Sequence, residues 1–143
     1  MSALEENKLV ARRFIEEAVN LGNLAILPEI ISEACVETDG KIRIDSGVSG
    51  MADHIRGVRS VYPDLHVSIV HQVAEGEWVA TAVLATGTHA GEWLGMSPTG
   101  KVLTFSGVNL DRIVDGKIVE HGGAANMLHP FLEAGALEPS SPL

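Results

Sequence analysis

The sequence predicts an α+β domain in which helices cover one face of a curved antiparallel sheet. Three observations carry that expectation. Two amphipathic helical segments open the chain, period-two strands rich in β-branched residues fill it from Leu65 onward, and the helices precede the strands instead of alternating with them. At 143 residues the chain has the usual size of one domain, long enough to bury roughly 70% of the surface its unfolded form exposes.

Each element follows from local chemistry. Ser2-Ala3-Leu4-Glu5 reads as a capping box that starts a helix. Val10, Phe14, Ala18 and Leu21 then recur at helical spacing, with Gly22 as a left-handed exit. Asn23 caps a second, shorter helix carrying Ile26, Leu27, Ile30 and Ile31, in which Pro28 is tolerable only near the start. Between Val36 and Val48 the alternation is poor and Asp39-Gly40 and Ser46-Gly47 intervene, so a strand or two with turns is expected. A short helix from about Ala52 to Val61 has Ile55, Val58 and Tyr62 on its inner side and stops at Pro63-Asp64. The strands are Leu65 to Val73, Glu77 to His89 and Val102 to Val114, with Lys117 to Asn126 following the Asp115-Gly116 turn. Residues 1–137 are read as one domain and residues 138–143, with two Pro and two Ser, as a flexible tail.

Composition excludes several functions. An apolar content of 45% with 20% charged residues is that of a folded domain, and a net charge of −9 disfavours nucleic acid and anionic membrane surfaces as partners. Cys35 is the single cysteine, so no internal disulfide can form. The first residues lack the basic start and apolar core of a signal peptide, and no apolar run approaches the ~20 residues of a spanning helix. A cytoplasmic protein is the expectation. His66 and His71 lie five apart on a strand and point to opposite faces, and no phosphate loop or nucleophile elbow is present; no metal and no cofactor is expected.

Several segments carry a resemblance: Asn7 to Leu24, Val61-Tyr62-Pro63-Asp64-Leu65, Gly87-Thr88-His89 with Gly91 and Gly95, Pro98-Thr99-Gly100, and the run from Arg112 to His121. Together they resemble the SnoaL-like polyketide cyclases of the nuclear transport factor 2-like superfamily. The resemblance implies a cone, a bent sheet closed by N-terminal helices around a deep apolar pocket, and dimers formed through the outer face of the sheet. It also implies ring closure by proton abstraction next to a carbonyl, with an Asp on the last strand helped by a His on the strand before it. Aligned on the Asp115-Gly116-Lys117-Ile118 turn, those two positions are Gly123 and Asn109 here, and Gly107 stands where some members carry a Gln. A glycine has no proton to exchange, so the family's roles do not transfer residue by residue.

If the Val114-Asp115-Gly116 hairpin is a three-residue loop, Asn109 faces His121 and Gly107 faces Gly123 on one side of the sheet, with Phe105 and Ala125 next along. A two-residue turn would send His121 to the other face. The candidate catalytic residues are therefore His121, able to act as a base at neutral pH, and Asn109, able to polarise a carbonyl. The bland alternative makes the first a structural histidine bonded to backbone and the second a satisfied buried amide. Phe14, Tyr62, Trp93, Met96, Phe105, Gly107, Gly123 and Asn126 are the candidate substrate contacts, with Trp93 and Met96 on a loop, Ala90 to Gly100, read as a lid or a dimer contact. Phe14 and Tyr62 would equally be ordinary core, and the glycines inside strands mark either room for a substrate or a bulge. Asp39, Asp45 and Asp111 are expected at solvated turn or rim positions.

Three functions fit: a cyclase or isomerase that shapes a polyketide-type hydrophobic molecule, by pericyclic closure for example; an acid/base cyclase or epoxide-opening enzyme using His121; and a binding protein without chemistry. The first and third lead over the second, because Gly123 and Asn109 stand where the family's Asp and His would; in the first, orientation alone can supply ~7 kcal/mol. The first expects His121→Ala to cost less than ~10²-fold, the low end of general acid/base catalysis, and Gly123→Leu to hurt more by filling the cavity. A homodimer is expected, since Thr104, Val108 and Leu110 alternate onto the outer face.

Overall fold

The Ser2 hydroxyl accepts the Glu5 N–H at 3.2 Å, and helix α1 (Ala3–Arg13) starts there as the capping pattern predicts. In the computed structural model, which describes residues 1–141, α1 runs on through a π-helical turn, Phe14–Val19, that brings Phe14, Ile15 and Ala18 into the core. Gly22 then reverses the chain at φ 68°. The second helical segment is a 3₁₀ turn, Leu24–Ile26, followed by α2 (Leu27–Ile30), with Pro28 in its first turn as expected.

Strand β1 (Ile31–Asp39) follows at once and turns at Gly40 into the short β2 (Ile42–Asp45). Helix α3 (Gly47–Val61) begins a full turn earlier than the sequence suggested. Strands β3 (His66–Glu75), β4 (Trp78–Thr88), β5 (Val102–Val114) and β6 (Lys117–Asn126) match the periodicity, the last two residue for residue. A helix that the sequence reading passed over, α4 (Leu128–Ala134), seats Phe131 against Leu103 and Tyr62.

The six strands form one curved, unclosed sheet in the order β2-β1-β6-β5-β4-β3. Four of its five pairings are antiparallel, including the predicted run from β3 to β6, while β1 and β6 run parallel. The reason is topological. The chain leaves β1 through β2 and α3, and β6 returns from the far side of the sheet to lie beside β1 in the same direction. Ile15, Leu27, Ile30 and Ile31 from the N-terminal segments, Met51 from α3, and Ile113 and Ile118 from the sheet are all essentially inaccessible, each contributing roughly 1.5–3 kcal/mol by burial. This core closes one end of the concave face and leaves the rest open.

The hairpin between β5 and β6 departs from expectation in an instructive way. Asp115 and Gly116 both have positive φ, 50° and 76°, which makes a two-residue turn with Val114 opposite Lys117. One step on, Ile113 pairs with Ile118 but Arg112 pairs with Glu120, so Val119 is an extra, unopposed residue. The turn and the bulge each shift the register by one. Their sum restores His121, Gly123 and Ala125 to the concave face with Asn109 and Gly107. It also moves His121 one pair along, opposite Asp111.

On the outer face Val70, Leu84, Val108 and Leu110 are exposed, as the alternation predicts for the last two. No helix among the described residues is long and apolar enough to cross a membrane. Of the expected tail, Pro142 and Leu143 lie outside the described residues.

Candidate active site

The concave face holds a cavity of about 700 Å³, within the range of small-molecule sites. Phe14 of the π-turn and Met51, Ile55 and Val58 of α3 form its roof, and Val67, Val83, Ala85 and Phe105 of the sheet form its floor. The candidate residues Asn109, Gly107, Gly123 and Trp93 also line it. Three other predicted contacts do not. Tyr62 is buried behind the wall against Phe105, with ring centroids 5.6 Å apart, so core packing has claimed it. Met96 packs into the second apolar cluster beside Leu103 and Phe131. Asn126, opposite the outward Ser106, lies at a shallow hollow on the outer face because strand alternation turns it away.

The polar groups gather at one end. His121 Nδ1 lies 2.5 Å from Asp111 Oδ1, and the carboxylate is only 1% exposed while the imidazole keeps 12% of its surface open. Asp111 is thus no solvated rim residue, as its position near the turn suggested; the bulge at Val119 places it under His121. An ionised carboxylate only accepts hydrogen bonds, so Nδ1 carries the proton and Nε2 presents its lone pair. Burial pulls the imidazole pKa down, but the charge and hydrogen bond of Asp111, aided by the charge of Glu37, outweigh this and hold it above the ordinary 6.5. Phe14 stacks obliquely on the ring, centroid to centroid 5.0 Å, which fixes its plane.

Beside this pair stands a second one. His54 Nδ1 is 2.6 Å from Glu37 Oε1, and Glu37 is the β1 neighbour of His121 across the parallel pairing. Neither residue was singled out by sequence reasoning. The signal for His54 was present, since it shares the helical face of Met51, Ile55 and Val58. Glu37 carried none, because its place depends on a pairing more than 80 residues distant in sequence. No cluster of three or more metal-ligating side chains occurs among the described residues. Burial drives the Cys35 thiol up to about 11, which leaves it without nucleophilic character.

Gly123 answers to the neighbouring backbone and Gly122 to the Thr38 side chain. Gly123 has φ 132°, and a Cβ there would clash with the Val108 carbonyl oxygen; at Gly122 it would clash with Thr38 Oγ1. Gly123→Leu therefore breaks the sheet before it fills the cavity. Even Gly123→Ala is expected to cost about 1–3 kcal/mol, visible in thermal unfolding as a midpoint several degrees lower; an unchanged midpoint would contradict this. A cleaner filler is Ala125→Phe, on the floor opposite Gly107.

The comparisons with known proteins agree with this architecture. The SnoaL-like polyketide cyclase family matches residues 9–132. The aklanonic acid methyl ester cyclase DauD of Streptomyces sp. (strain C5) is 26% identical over 137 residues, covering 92% of this chain and 83% of DauD. The nogalonic acid methyl ester cyclase of Streptomyces nogalater is 31% identical over 97 residues, covering 67% of this chain and 69% of the relative. Among crystal structures, that of AclR from Streptomyces galilaeus, a candidate hydroxylase, superimposes with a TM-score of 0.82 at 29% identity, covering 98% of this chain and 87% of AclR.

Proposed function

This chain belongs to the SnoaL-like polyketide cyclase family of natural-product biosynthesis, and on that premise we propose that it closes a ring in a hydrophobic polyketide-type molecule by acid/base chemistry centred on His121 and Asp111. The observation that carries this reading is the 2.5 Å contact between the two, buried in the wall of an otherwise largely apolar cavity. Purely shape-driven closure led while His121 stood without an orienting carboxylate. With Asp111 beneath it, His121 has the arrangement of a general base: a fixed ring, a defined tautomer and a free Nε2.

In the proposed reaction His121 Nε2 takes a proton from a carbon next to a carbonyl. The electron pair released attacks a second carbonyl carbon in the same molecule, forming the ring bond. Asn109, two residues from Asp111 on the same face, donates its amide N–H to the oxygen on which charge grows. The apolar wall excludes water and folds the chain of the substrate so that the reacting carbons meet. The names of the two cyclase relatives make aklanonic acid methyl ester and nogalonic acid methyl ester the first substrates to try.

The reading is tested by incubating the protein with either ester. The expected product is a cyclised isomer with unchanged mass, formed faster than in buffer alone. A product heavier by one oxygen would instead assign hydroxylation, and tight binding without turnover would assign a carrier. Ala125→Phe is expected to weaken binding of the ester about tenfold or more while the protein stays folded, since overpacking a fitted space costs about 1–3 kcal/mol. We further propose that two copies pair through the outer face bearing Val108 and Leu110, which light scattering at micromolar concentration checks as a doubled mass.

A further inference from the structure

We propose that His54, oriented by Glu37, is a second proton-transfer residue of the cavity and supplies the proton that the carbonyl oxygen takes up as the ring closes. The proposal rests on the reading of His121 as the base. Both imidazoles line one cavity, their rings crossing edge to face with centroids 6.4 Å apart. Each gives its Nδ1 to its own carboxylate, which leaves each an Nε2. Two such nitrogens at one polar end suit the two proton transfers of an addition to a carbonyl.

Exposure separates the roles. The His121–Asp111 pair is closed, with side chains 12% and 1% exposed, as removal of a proton from carbon requires. The His54–Glu37 pair is open, at 47% and 19%, so its imidazole can be recharged from water after each turnover. The charged groups around His54 are Glu37 and Asp39 on β1, His121 on β6, and Asp53 and Arg56 on its own helix, with Arg56 engaged by Asp53 at 2.9 Å. In the donor role His54 is an imidazolium that holds Glu37 through Nδ1–H and offers the proton on Nε2.

The step balances without a co-reactant. His121 Nε2 gains the carbon-bound proton, and the C–H electron pair becomes the new C–C bond. The π pair of the attacked carbonyl moves to oxygen, which takes the proton from His54 Nε2. His121 ends protonated and His54 neutral, and solvent at the mouth returns one proton from the first to the second.

The test separates the two half-reactions with aklanonic acid methyl ester in D₂O. Deuterium entering recovered substrate reports proton removal from carbon, and product formation reports closure. His54→Gln is expected to keep exchange at the wild-type rate and KM unchanged while kcat for closure falls roughly 10²-fold. Glu37→Gln, which leaves the imidazole in place, is expected to lower closure more than exchange. Closure at the wild-type rate in folded His54→Gln, or loss of exchange and closure in equal measure, would overturn the role of His54. Exchange that persists in His121→Gln would overturn the base assignment instead, whatever His54 does.

Discussion

Replacing His121 by Gln is expected to lower kcat for ring closure by about 10²–10⁴-fold, the span attributed to a positioned general acid or base, with little change in thermal stability. Gln is the informative substitution because its amide can still donate to Asp111 Oδ1 and fill the space under Phe14, yet it cannot accept a proton at neutral pH. His121→Ala should lose as much activity and also unfold at lower temperature. It strips from a 1% exposed carboxylate the hydrogen-bond partner of Oδ1, while Oδ2 has none among the described residues, and breaking a buried pair costs roughly 3–5 kcal/mol. Steady-state kinetics beside thermal unfolding distinguishes the two variants.

Asp111→Asn is expected to reduce kcat by a comparable order, about 10²-fold or more, and to move the pH dependence in a defined direction. Closure needs neutral His121, so the rate rises with pH through its ionisation, which Asp111 and Glu37 hold above 6.5. Removing the Asp111 charge leaves the burial that pulls the imidazole down, so the inflection moves to lower pH while the plateau falls, because the base is weaker and its tautomer is no longer enforced. The stability sign follows. With a raised folded pKa, His121 stabilises the fold fully below 6.5, and that contribution is lost as pH rises through the folded value; Asp111→Asn should flatten this dependence. Imidazole NMR titration and unfolding at several pH values check both statements.

The fold was legible because its signals are local. The capping serine, the helical stripe through Phe14 and Ala18, and the alternation of β5 and β6 each state their own structure within a few residues. What escaped is non-local or silent. The parallel partnership of β1 and β6 joins segments that no spacing relates. The bulge at Val119 sits on a β-branched residue that looks like any other strand position, so the register was read from a three-residue loop that does not exist. The face of His121 came out right because two shifts cancel in parity. Its partner came out wrong because they add in register, and the partner is what makes the chemistry. Tyr62, by contrast, was offered as wall or core, and α4 and Phe105 press it into the core.

The most direct measurement is the pH dependence of kcat for closure of aklanonic acid methyl ester by the wild-type protein and His121→Gln. The account predicts a wild-type rate that climbs on its acid side through the ionisation of His121 above 6.5, and a variant that is both slow and lacks that rise. A wild-type profile that stays flat from about pH 5 to pH 8, with His121→Gln closing the ring at the same rate, would show that the cavity works by shape alone and that the Asp111–His121 pair is structural.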